Sequence, residues 1–122
     1  SACIFVDSHR KAGEAIRANM ARTRLRGELR LQDVAKFVES APAGSYDIVF
    51  ADPPFALPPN DPSHPCTLLS GDNLARCTAP RGIFVEDLPD EPPPAPAHSR
   101  ELLRCRRYGQ AWVAFYRRLP AA

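Results

Sequence analysis

At 122 residues the chain is the length of one small domain, and its 44% hydrophobic, 25% charged and 8% aromatic content excludes bulk disorder. A formal net charge of +2 names no polyanionic partner by itself, and no apolar run reaches the roughly 18 residues that a membrane-crossing helix needs. Four cysteines without a close C-x-x-C pair, and no histidine at ligand spacing beside them, argue against a zinc site.

With no signal peptide in view, free thiols in a reducing cytoplasm are the expectation. Arg supplies nearly all the positive charge, and it clusters at Arg10, Arg17, Arg22, Arg24, Arg26 and Arg30 and again at Arg100, Arg104, Arg106, Arg107, Arg117 and Arg118. Such clusters could neutralise phosphates, or could be solvated faces.

"ACIFV", 2–6, is a continuous apolar run closed by Asp7, the pattern of a parallel strand buried on both faces. The next stretch carries Ala12, Ala15, Ile16, Asn19 and Met20 near helical spacing; it predicts a helix to about residue 23, with Ser8 as N-cap and Gly27 as the break. "ELRLQD", 28–33, alternates and reads as a second strand, and "VAKFVESA" as a short helix. Pro42, Gly44 and Ser45 make a turn into "YDIVFA", a third strand ending at Asp52.

The prolines, fourteen in all, concentrate between Pro53 and Pro96. "ALPPNDPSHP" is therefore a loop, since each proline removes a backbone donor and restricts its predecessor. "CTLLSGDNLARC", 66–77, reads as an imperfect helix, "GIFVEDL", 82–88, as a fourth strand, and "PDEPPPAPAHS" as another loop. The tail divides at "YGQ" into two runs that predict a closing antiparallel hairpin. Strands alternating with helices imply crossover units, a mostly parallel sheet and one domain over 1–122.

In an open parallel sheet, ligands lie beyond the carboxyl ends of the strands. Asp7, Asp33, Asp52 and the pair Glu86 and Asp87 all stand at such ends. Asp7 could accept both hydroxyl protons of a ribose, or could cap the following helix; spacing does not separate the two. "DPPF", 52–55, is more specific. Its prolines hold the backbone extended and leave carbonyls as fixed acceptors beside the Asp52 carboxylate, a cradle for an exocyclic amine. Phe55 offers a face on which the base could stack. A nitrogen attacking a methyl group becomes positive, and acceptors aimed at its protons stabilise that charge. The bland alternative is a proline-stiffened loop with Phe55 as a core plug.

"YDIVFADPPF" resembles motif IV of S-adenosylmethionine-dependent amino-methyltransferases, D/N-P-P-Y/F. The surrounding chain resembles the bacterial small-subunit (16S) ribosomal RNA guanine-N2 methyltransferases, from "FVDSHRKAGEAIRANM" to the closing "RRYGQAWVAFYRR". The resemblance implies a Rossmann-like class I methyltransferase fold, α/β, mostly parallel with a C-terminal antiparallel hairpin. It also implies S-adenosylmethionine as cofactor, bound by Asp7, Ser8, Asp33, Val34 and Asp52, with Asp52, Pro53, Pro54 and Phe55 as the catalytic loop and no metal. Glu86 falls where relatives also carry an acid. The expected partner is small-subunit ribosomal RNA, gripped through phosphates by Arg with the target base pulled from its stack.

The family's first strand and glycine-rich loop, which hold the methionine end of the cofactor and would lie between the strands at 2–6 and 47–52, have no match. The chain starts at Ser1, and the expectation is an N-terminally incomplete product, or a partner chain supplying that strand to what is otherwise a monomer. The insert at 58–65 reads as a surface loop or a lid. His9, His64 and His98 receive no chemistry. The expected activity is methylation of a guanine N2 amine. An adenine-N6 or other nucleic-acid amino-methyltransferase, a non-catalytic RNA-binding remnant and a plain nucleotide-binding module are the other readings.

Overall fold

A computed structural model describes residues 2–52, 72–88 and 100–119. Two compact units divide the chain, Ser1–Ser40 and Ala41–Ala122.

The first unit runs β1 (Ile4–Asp7), α1 (Arg10–Thr23), β2 (Glu28–Leu31), α2 (Val34–Ser40). Strands β1 and β2 pair in parallel from Ile4↔Glu28 to Asp7↔Leu31, and α1 is the crossover between them. Helix and strand approach closely at Gly13, where a Cβ would meet Leu31 Cδ2 at 2.6 Å. The N-cap of α1 is His9, not Ser8, and His9 makes no side-chain cap. The Asp7 carboxylate does that work from two positions earlier, its Oδ1 accepting the His9 amide at 2.8 Å. The helix also stops before Gly27: Arg24 takes a left-handed conformation (φ 59°), and the Leu25 amide donates to the Met20 carbonyl. Burial is lighter than an apolar run suggests, since β1 is half-buried throughout and Gly13 and Val38 are the buried residues of this unit among those described.

The second unit runs β3 (Tyr46–Ala51), α3 (Asp72–Cys77), β4 (Thr78–Leu88), β5 (Arg100–Tyr108), β6 (Ala111–Arg118), with strand order β3-β4-β6-β5. β3 and β4 are parallel; β4–β6 and β5–β6 are antiparallel, so the tail closes the sheet as a hairpin, as its sequence predicts. A two-residue turn makes that hairpin, with positive φ (63°) at Gly109, the first central position. The fourth strand begins at Thr78, four residues earlier than its apolar run. The extra stretch is a bulge in which Tyr46 pairs with Thr78 but Ile48 with Ile83, and it accommodates Pro80 and a left-handed Arg81 (φ 63°).

One face of this sheet is the core. Phe84 and Tyr116 lie with ring centroids 6.2 Å apart, with Ala114 and Glu86 beside them in register, and α3 contributes Leu74 and Cys77. Burying the two aromatic rings is worth on the order of 3–6 kcal/mol together. Arg76 ties α3 to the turn before β3, donating to the Ala41 carbonyl at 2.6 Å while its own carbonyl accepts the Gly44 amide at 2.8 Å. The other face is open: Ile48 is 70% exposed and Phe50 68%. The third strand is thus covered on one side alone, because no element of this unit among the described residues covers that face. Strand β3 is at the edge of its own sheet, and the expected central strand has no counterpart among the described residues.

Candidate functional site

The sequence-predicted acids stand at strand ends, divided between the two units. Asp7 is the last residue of β1, and its carbonyl accepts the Gln32 amide (3.0 Å), which carries the parallel ladder to its end. Asp33 opens α2: its Oδ1 accepts the Ala35 amide at 2.8 Å and its carbonyl the Phe37 amide at 2.9 Å. Both acids therefore sit at the carboxyl ends of adjacent parallel strands, each ordering the turn after it. For Asp7 the cap engages Oδ1, one of two carboxylate oxygens, so capping and binding a hydroxyl are compatible. Ser8 is exposed at the bend after β1, and Val34 is half-buried at the start of α2.

In the second unit Asp52 follows β3 and is exposed. Ala51 pairs with Glu86, so the next position on each strand brings Asp52 beside Asp87. The Asp87 pKa is raised, first by burial and then by the neighbouring Asp52 carboxyl. Asp87 Oδ1 has no hydrogen-bond partner among the described residues. Sequence reasoning noted Asp87 as a strand-end acid and gave it no role; strand register is what makes it half of a pair. Pro53, Pro54 and Phe55, with the 58–65 insert, His64 and His98, lie outside the described residues.

Glu86 points to the opposite face and is 1% exposed. Burial pushes its pKa up to about 7, against the opposing pull of the Arg100 guanidinium. Arg100 is buried too, which lowers its own pKa, and among the described residues its Nε and Nη2 lack hydrogen-bond partners, as does Glu86 Oε2. This removes Arg100 from the phosphate-gripping cluster suggested by its sequence position. Arg104, Arg106 and Arg107 remain exposed on β5, and so do the arginines of α1. A small cleft lined by Leu74, Ala75, Thr78, Phe84, Arg100, Tyr116 and Arg118 lies at the other end of the sheet from Asp52 and Asp87. Among the described residues no helix is long and apolar enough to cross a membrane.

The family model described as conserved hypothetical protein 95 matches residues 1–117. No curated protein matches the chain. Among solved structures the fold is similar to yhhF from Escherichia coli, provisionally named a methyltransferase (TM-score 0.74, 19% identity over 98% of this chain and 64% of that one). The chain thus spans less than two thirds of that protein's length. It is also similar to a conserved hypothetical protein from Streptococcus pyogenes (TM-score 0.75, 21% identity, 97% and 72% covered) and to the 16S rRNA methylase RmtB (TM-score 0.60, 16% identity, 96% and 47% covered). At these identities the likeness shows the fold, the α/β arrangement of Rossmann-like class I methyltransferases.

Proposed function

The chain belongs to the conserved hypothetical protein 95 family, and we propose on that basis that it carries the target-amine half of a methyltransferase site, acting on the exocyclic N2 of a guanine in 16S ribosomal RNA with S-adenosylmethionine as donor. The observation that supports this most is the juxtaposition of Asp52 and Asp87 at the carboxyl ends of two parallel strands, with Asp52 followed in sequence by P-P-F.

The donor set suits the cofactor. Asp7 at the end of β1 would accept ribose hydroxyls, with Ser8 beside it, and Asp33 with Val34 at the start of α2 would meet the adenine. The cofactor supplies a methyl group made electrophilic by a sulfonium. Asp52 would accept an N–H of the target amine, with the Pro53 carbonyl accepting the other and Phe55 stacking the base. As the N–C bond forms and the C–S bond breaks, the nitrogen gains positive charge opposite Asp52. The surplus amine proton leaves after transfer. Asp87, whose carboxyl holds a proton more tightly than an ordinary aspartate, stands beside Asp52 to receive it.

The test is incubation with S-adenosylmethionine and 16S rRNA, followed by nucleoside analysis. N2-methylguanosine is the expected product. N6-methyladenosine would replace this reading by the adenine alternative. RNA binding without cofactor binding would replace it by the non-catalytic remnant.

A further inference from the structure

The catalytic reading leaves β5 unused, yet β5 is the edge strand of its sheet among the described residues and opens a basic segment of the chain: from Leu102 to Arg118 there are five arginines and no acid. A bulge between Leu102 and Arg104 resets the register, so that Arg104 pairs with Phe115, Arg106 with Val113 and Tyr108 with Ala111. Residues two apart on a strand share a face, which puts Arg104, Arg106 and Tyr108 together. All three are exposed, Tyr108 by 58%. Arg107 points to the other face, its guanidinium 6.0 Å over the Trp112 ring and its Nε donating to the Gly109 carbonyl at 2.8 Å.

Register also ties this edge to the candidate site. Asp87 pairs with Val113, and Val113 with Arg106, while Asp52 follows the residue paired with Glu86. One transverse row therefore reads Asp52, Asp87, Val113, Arg106. Three interstrand spacings make that row about 14 Å long, a distance that a few nucleotides of single strand can bridge.

We propose that the exposed edge of β5, Arg104 and Arg106 with Tyr108 beside them, is a surface for the RNA backbone flanking the base presented to Asp52. The partner is single-stranded RNA: the arginines would meet phosphates, and the Tyr108 ring offers a face to an adjacent base. This rests on the reading of the chain as an RNA methyltransferase. Exposed edge strands also carry charge simply to block strand addition, and that purpose is served by either sign. An RNA track needs positive charge at these positions, and the two roles separate on charge reversal.

The experiment measures binding of a 16S rRNA fragment across a salt series for the chain, for Arg104→Glu/Arg106→Glu, and for Lys11→Glu/Lys36→Glu, a control with the same change in net charge on exposed residues of the first unit. Methyl transfer and oligomeric state are recorded in parallel. The expected result is that the β5 variant stays monomeric, loses at least about tenfold in RNA affinity, and shows a slope of log affinity against log salt shallower by about 1.4, while the control keeps its affinity. Equal loss in both variants, no loss in the β5 variant, or no RNA binding by the unmodified chain overturns the proposal. If the chain binds RNA in this way but transfers no methyl group, the surface stands and the catalytic reading falls. Transfer unaffected by the β5 reversal leaves the catalytic reading and removes the surface.

Discussion

At the residue scale, the second unit places two acids in consecutive positions and on opposite faces of β4, with different consequences. Asp87 faces Asp52. Asp52→Ala removes the acceptor for the amine and should lower methyl transfer by about a hundredfold or more, in the range seen for losing one preorganised polar contact to a transition state. Cofactor affinity, measured by calorimetry, should stay largely intact, because Asp7 and Asp33 carry most of the expected cofactor contacts. Asp87→Asn keeps a hydrogen-bonding group but cannot share a proton. It should lower kcat roughly tenfold with KM unaltered, and because the pair's raised proton affinity is gone, the acid limb of the kcat profile should move to lower pH. Glu86 faces the core instead. Its pKa is raised from 4.5 to about 7 by burial, so the folded state holds a proton that the unfolded chain releases. Stability from this group is complete below pH 4.5 and falls as pH rises to about 7, by on the order of 3 kcal/mol. Glu86→Gln should flatten that dependence, as chemical denaturation at about pH 5 and about pH 8 would show.

At the element scale, turns and caps were only partly legible. The hairpin at "YGQ" was readable because Gly is favoured where φ must be positive, and Gly109 has φ 63° with nothing within 4 Å of the place an alanine Cβ would take. Gly109→Ala should therefore cost about 1–2 kcal/mol through backbone strain alone, with no steric share, and Gly109→Asn less. A thermal melt of the two variants separates strain from packing. The ends of α1 were not legible. Ser8 had the right chemistry for an N-cap, but the Asp7 side chain reaches the His9 amide first. Gly27 had the right chemistry for a stop, but Arg24 adopts the left-handed conformation nearer the helix. Local propensity names candidate caps, and small differences in chain direction choose among them.

At the scale of the whole molecule, the chain comprises two compact units. The open sheet face with Ile48 and Phe50 is a direct consequence of what is, and is not, packed on the second unit. Those side chains contribute little to the stability of this chain, so Phe50→Ser should change its unfolding free energy by less than about 0.5 kcal/mol, whereas Phe84→Ala, on the covered face, should cost about 3–5 kcal/mol. Denaturant titration of both variants would check the contrast.

The sequence by itself determined the alternation of strands and helices, the closing hairpin and the acids at strand ends. Each of these is local: hydrophobic runs, turn residues and terminators act over a few neighbours. Only the tertiary structure decided that Asp52 meets Asp87, that Arg100 is buried while Arg106 is exposed, and that Phe84 is core while Phe50 faces solvent. Those outcomes depend on interstrand register and on which face of the sheet is covered. Residues far apart in the chain set both, so the pattern within a single strand cannot contain them.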